Sequence, residues 1–150
     1  MDLFTLVSNL EKNKTFTVAA EIKNVETSVN AKIELLFDTG ASNTAICGHV
    51  LGKCGYSNYV KGTSMRQTVT GSITLPRCEV IDFRLVGFQP IPKLTVDVLP
   101  NKLVGYQGIL GMDYISKFET WISRSRGELF VAGGFQSFVG YVLDLTKNRN

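Results

Sequence analysis

Charge is scarce and evenly mixed in this chain of 150 residues: 19% of them are charged, 16 Lys and Arg stand against 13 Asp and Glu, and the formal net charge is +3. No segment masses one sign, so no nucleic-acid partner is expected, since such a partner needs a basic patch or stripe. No uncharged apolar run approaches the ~20 residues of a membrane-spanning helix, and Met1-Asp2 leads into no basic stretch ahead of a signal-like core. A soluble, cytoplasmic protein without a membrane span is the expectation. Cysteine is limited to Cys47, Cys54 and Cys78, an odd number without repeating spacing. That speaks against a secreted disulfide framework and for reduced, buried thiols. The single histidine, His49, would have to serve any Ser-His-Asp or Cys-His enzyme, and no Gly-x-Ser-x-Gly elbow accompanies it. His49 with the three cysteines could offer four zinc ligands, yet no Cys-x-x-Cys pair occurs among them, so neither metal nor other cofactor is expected. Gly105, Gly108 and Gly111 miss the dinucleotide spacing.

What is present is an apolar core for one domain. Hydrophobic residues make up 44% of the chain and aromatics 10%, enough for a compact fold. Two full lobes would need about 100 residues apiece, so any two-lobed site must come from two chains. Strand signals dominate. Thr15 to Val18 and Lys93 to Val98 alternate polar with apolar, and Ala31 to Phe37 alternates and then turns fully apolar. Val80 to Phe88 is a further apolar stretch carrying Asp82 and Arg84 on alternate positions until Pro90 and Pro92 stop it. Helix signals are few: an amphipathic segment over Met1 to Lys12, and a short helix from Tyr114 to Phe118 with Asp113 as its N-cap. An all-β class follows.

One position concentrates the chemistry. The hydrophobic strand Leu35-Leu36-Phe37 runs straight into Asp38-Thr39-Gly40-Ala41-Ser42, which sets a carboxylate where an apolar strand breaks into a glycine turn. A charge there needs hydrogen bonds or a shared proton to survive desolvation, and such groups concentrate at functional sites. Some seventy residues on, Gly108-Ile109-Leu110-Gly111-Met112-Asp113 locks an apolar pair between glycines ahead of a helix start.

Together, Asp38-Thr39-Gly40-Ala41 and Gly108 to Asp113 resemble the retropepsins, the retroviral-type aspartic proteases. In that family the first element is the catalytic turn, and the second is a hydrophobic-hydrophobic-Gly strand leading to a short helix bearing Asn or Asp. The segment Met65 to Ile73, with its turn-prone Thr70-Gly71 centre, stands where the family places a β-hairpin flap. The likeness covers Thr15 to Val131 and implies a closed, barrel-like fold with one short helix after the Ile-Leu-Gly strand. It divides the chain into an N-terminal extension (1–14), a protease domain (15–131) and a C-terminal extension (132–150) that could serve an interface. A start at Met1 fits a free-standing cellular relative better than a polyprotein fragment.

The resemblance implies a mechanism and roles. Asp2, Asp82, Asp97, Asp113 and Asp144 lack a Thr-Gly sequel, so only Asp38 can supply the catalytic turn, and two chains must pair as a homodimer. The two Asp38 carboxylates would share one proton, one acting as base on water and the other as acid on the scissile carbonyl. Thr39 would bond across the dimer, Gly40 would close the turn and offer its carbonyl to substrate, and Ala41 would leave room for the chain. Val69, Thr70 and Gly71 would fold over an extended peptide, and Ile109 and Leu110 would line side-chain pockets. An aspartic endopeptidase acting on protein or peptide, with apolar residues beside the cut, is the expectation. The alternative is a silent retropepsin-fold module for dimerisation or peptide binding. Plainer readings of the parts are a β-turn with a capping carboxylate at Asp38 and a surface hairpin at Met65 to Ile73.

Overall fold

A computed structural model describes residues 5–9 and 16–132 apart from Asn58, Gln89, Pro92 and Arg124, with the backbone alone for 5–9, Lys61 and Ala132. The chain runs β1 (Thr5–Asn9), β2 (Thr17–Asn24), β3 (Val29–Phe37), β4 (Ala45–Cys47), α1 (Gly48–Lys53), β5 (Tyr59–Thr68), β6 (Gly71–Val80), β7 (Phe83–Leu85), β8 (Leu94–Leu99), β9 (Gly108–Leu110), α2 (Met112–Ile115), β10 (Glu119–Ser123) and β11 (Glu128–Ala132). The all-β expectation is met. Eight strands form one sheet in the order β5-β6-β8-β4-β9-β3-β2-β7, curled into a half-barrel, while β1, β11 and β10 form a separate antiparallel sheet.

Alternation explains the principal strands. Along β2 the side chains of Val18, Ala20 and Ile22 are fully buried, and on its antiparallel partner β3 Ile33 and Leu35 point to the same core while Lys32 and Glu34 face solvent. The centre of the sheet is interlocked rather than meandering. Strand β3 pairs parallel with β9, β9 antiparallel with β4, and β4 parallel with β8. Two glycines permit this crowding. A Cβ on Gly108 would run into the Ala45 carbonyl oxygen and lie 2.9 Å from Leu35 Cδ2, and one on Gly111 would lie 2.5 Å from the carbonyl carbon of Asn43. The Gly-Ile-Leu-Gly pattern is therefore a requirement of backbone approach.

Four elements differ from the sequence reading. The expected helix over Met1 to Lys12 holds a strand, β1, because pairing with β11 satisfies its backbone; the rest of that segment lies outside the described residues. Helix α1 was not anticipated: it carries Gly48 and Gly52 and has no side-chain N-cap bond, and it forms because Val50 and Leu51 bury against the core. The stretch Val80 to Phe88 is divided between β6 and β7, since the chain bends at Ile81 and Asp82, where the Asp82 carbonyl accepts a bond from Lys23 N at 3.0 Å. The second helix begins at Met112, with Gly111 rather than Asp113 at its cap. Aromatic packing fixes it: Tyr114 meets Phe83 edge-on at 5.1 Å between ring centroids and Phe118 at 4.9 Å, and its hydroxyl accepts a bond from Leu85 N. Residues 133–150, nearly all of the expected C-terminal extension, lie outside the described residues.

Candidate active site

The turn at Asp38 is held by backbone bonds from both sides. Strand β3 delivers it, and its amide donates to Leu110 O at 3.1 Å, so the interlocked β9 fixes where the carboxylate starts. Within the turn, Gly40 N donates to Asp38 Oδ1 at 2.9 Å and Ala41 N to Asp38 O at 3.2 Å. A side chain at Gly40 would press on the carboxylate, since a Cβ there lies 3.2 Å from Oδ1. Asp38 is half-buried, Thr39 and Gly40 are exposed, and Ala41 is buried.

Asp113 steadies the far side of the turn. Both its oxygens lie 3.0 Å from Thr44 N, Oδ1 accepts from Thr44 Oγ1 at 2.7 Å, and Oδ1 also accepts from Tyr114 N at 2.8 Å. Thr44 Oγ1 in turn accepts from Gly111 N at 3.1 Å, and Met112 N donates to Ala41 O. The residue expected to cap a helix thus ties the loop 41–44 to α2. A carboxylate can serve several donors at once because it accepts at both oxygens.

Two cavities open beside Asp38 and both reach the β5–β6 hairpin. The larger is mostly apolar, with a volume of about 560 Å³, and is walled by Arg66 to Val69 and Ile73 of the hairpin, by Leu99, Leu103 and Tyr106, and by Ile109 of β9. The smaller, of about 300 Å³, is polar and bounded by the turn, by Met65 to Gln67 and by Asp97. The hairpin closes where the sequence places it, with Thr68 paired to Gly71 and Val69-Thr70 between them. Of the expected flap residues only Val69 lines a cavity; Thr70 and Gly71 form the exposed tip. Of the expected pocket pair only Ile109 does so. Leu110 is wholly buried in the core, because adjacent strand residues point to opposite faces.

Asp97 was missed. Its place in the alternation of Lys93 to Val98 implies an outward side chain, yet it is 1% exposed, the only charged residue among the described ones to be buried. Arg66 Nη2 and Arg77 Nε each lie 3.4 Å from it, and Ser64 Oγ donates to its Oδ2 at 3.1 Å. A lone acid between Val96 and Val98 was the available signal. Its partners stand on β5 and β6, and only the fold brings them together.

The thiols of Cys47, Cys54 and Cys78 are buried, and burial pushes each above the ordinary 9.0, which makes them poor nucleophiles. Among the described residues no group of His, Cys, Asp and Glu is placed to hold a metal ion, and no helix is long and apolar enough to cross a membrane.

A turn carrying a half-buried Asp at the heart of an interlocked half-barrel, beneath a hairpin, is the arrangement of a retropepsin-like aspartic protease fold. Residues 24–117 match the family described as gag-polyprotein putative aspartyl protease, and the chain belongs to that family. Among solved structures it is similar to a retropepsin-like aspartic protease from Rickettsia conorii, with 18% identity over 85% of this chain and 89% of that one and a TM-score of 0.61. At that identity the likeness is one of fold. It is also similar to the retroviral protease-like domain of Ddi1 from Leishmania major, with 17% identity over 81% and 96% of the two chains and a TM-score of 0.48. No curated protein matches it.

Proposed function

We propose that the protein is an aspartic endopeptidase whose site is completed by a second copy of the chain. The observation that carries this reading is the turn itself: an Asp-Thr-Gly-Ala segment at the end of β3, with Asp38 N bonded to Leu110 O and the carboxylate at the meeting point of two cavities under a hairpin. One chain supplies one such carboxylate. In a symmetric dimer the Asp38 of each copy meets its mate at the two-fold axis, where like charges in contact cannot both ionise cheaply and share a proton. The ionised member draws a proton from water as that water attacks the scissile carbonyl, and the protonated member gives its proton to the carbonyl oxygen, leaving a neutral tetrahedral adduct. No covalent enzyme intermediate is required.

The neighbours then have work suited to their size. Exposed Thr39 bonds across the dimer, Gly40 offers its carbonyl to an extended substrate backbone, and Ala41 keeps the approach open. The hairpin closes over the peptide as an added strand and sheds water from the site. Ile109 and Val69 supply apolar walls for a side chain beside the cut. Residues 15–131 act as the peptidase unit, and the flanking segments contribute to the interface.

The test is cleavage of a mixed peptide library by wild type and Asp38→Asn across pH and protein concentration, with pepstatin as control. Cleavage is expected only in wild type, to be blocked by pepstatin, and to rise more than linearly with enzyme concentration because dilution splits the site. Equal cleavage by both proteins overturns the assignment of Asp38. No cleavage by either, with both folded and dimeric, favours the binding-module reading.

A further inference from the structure

The β5–β6 hairpin changes character at Arg66. The cross-strand pair Ser64 and Leu75 is buried, and none of the pairs nearer the tip is. Among the described residues, no hydrogen bond or ion pair ties Gln67 to Thr74 to anything outside the hairpin; the bond from Thr68 Oγ1 to Gly71 O is internal. Arg66 is thus the last residue of β5, before the tip, bonded to the body of the protein. Its Nη2 donates to Asn43 O at 2.7 Å and lies 3.4 Å from Asp97 Oδ2.

The partner of Arg66 is the part of the molecule that carries on from the Asp38 turn. Asn43 stands in the loop 41–44, which is fixed from several sides: Ala41 O accepts from Met112 N, Ser42 O from Asp113 N, and Thr44 O from Asp97 N at 2.9 Å. Asn43 Nδ2 also donates to Ser64 Oγ at 3.3 Å, and Ser64 Oγ to Asp97 Oδ2 at 3.1 Å, so hairpin, loop and β8 close a ring of bonds. Arg77 supplies the contrast. Its Nε stands at the same 3.4 Å from Asp97, on Oδ1, and among the described residues it has no bond to the loop 41–44. Both arginines neutralise the buried carboxylate, and only Arg66 carries the connection on to the turn.

Resting on the peptidase reading above, we propose that Arg66 is a positioning residue of the reaction: it latches the hairpin to the loop 41–44 and so sets the height of the tip over Asp38 before a peptide arrives. The tip beyond Arg66 lifts and closes while the base stays in place. Nη2 is engaged by Asn43 and Asp97 and Nε is buried, so the guanidinium acts on the protein rather than on the substrate. A hairpin held at its base loses fewer arrangements on closing over a peptide, so the latch strengthens binding and leaves the proton transfers at Asp38 alone.

The experiment compares Arg66→Met, Arg66→Lys and Arg77→Met with wild type, each confirmed folded by its thermal melt. Amide exchange is measured without peptide, and KM and kcat on peptides that wild type cleaves. Arg66→Met is expected to speed exchange over residues 67–74 by about tenfold and to raise KM by about tenfold, with kcat within about twofold, as for loss of one charge-assisted hydrogen bond that acts on binding alone. Arg66→Lys keeps a charged donor and is expected to fall between wild type and Arg66→Met in both readouts; it decides the matter should Arg66→Met not fold. Arg77→Met takes an equally close cation from Asp97 and is expected to lower the melt while leaving exchange at 67–74 and KM as in wild type. Unaltered exchange in Arg66→Met, or equal acceleration in Arg66→Met and Arg77→Met, overturns the latch. Faster exchange with KM unchanged overturns the positioning role. No cleavage by wild type removes the peptidase reading and this role with it, whereas cleavage by wild type that Arg66→Met matches in KM removes only this inference.

Discussion

Asp113 is a carboxylate whose loss should be felt far beyond its own helix. It takes bonds from the amide and hydroxyl of Thr44, which is fully buried, and from Tyr114 N. Removing it leaves those donors without an acceptor inside the protein, and charged hydrogen bonds of this kind contribute about 1.5–3 kcal/mol each. Asp113→Ala is expected to lower stability by about 3 kcal/mol in denaturant titration, and Asp113→Asn, which keeps one acceptor oxygen, by about half as much. Equal losses in the two variants would show that space filling, not the accepting oxygens, is what matters there. Legibility at this scale follows from locality. The segments Asp38 to Ala41 and Gly108 to Gly111 could be read because each is contiguous and its residue types are forced by the turn or by backbone approach. The bonds of Asp113 to Thr44 span 69 residues, and the ion pair of Asp97 with Arg66 spans 31, so no local pattern announces them.

The β5–β6 hairpin shows what an element can do when it buries little. It forms one edge of the half-barrel sheet, and from Gly71 to Thr74 every residue is exposed. Its turn is held by Thr68 Oγ1 donating to Gly71 O at 2.7 Å and by Gly71 itself, whose φ of 128° lies in a region that side chains resist. Gly71→Val has open space around it but not that backbone freedom, and should cost about 1–2 kcal/mol locally. Because such tips open independently of the core, the cost is expected as faster amide exchange over residues 66–73 and weaker peptide binding, with the global melt little changed. Unaltered exchange at Thr68 and Thr70 would mean that the turn does not depend on that φ. The same contrast explains which elements were legible. The strands β2 and β3 announce themselves because alternation is the direct result of burying one face, whereas β8 alternates in sequence although Val96 to Leu99 are all buried. The strand β1 and the helix α1 do not, because partners supplied elsewhere in the fold override weak local preferences.

For the whole molecule, burial of neutral acids sets the direction of its alkaline response. Desolvation raises Tyr114 and Tyr56 above the ordinary 10.0, and it raises the thiols of Cys47, Cys54 and Cys78 above 9.0. Backbone amides donating to the two phenol oxygens pull the other way without reversing the shift. All five groups hold their protons more tightly folded than unfolded. Above the unfolded values the native state therefore binds more protons than the unfolded one, and the slope of unfolding free energy against pH is negative. Stability is expected to be intact below pH 9.0, to fall as pH rises past the unfolded thiol and then tyrosine values, and to go on falling until the raised folded values are passed. Melting curves across that range, read beside tyrosinate absorbance, test it. Two of the five tyrosines should ionise late and together with unfolding. A melting temperature that stays flat through pH 10.0 would show that these groups are solvated well enough to titrate in place, and that the core around Tyr114 is looser than its ring contacts with Phe83 and Phe118 indicate.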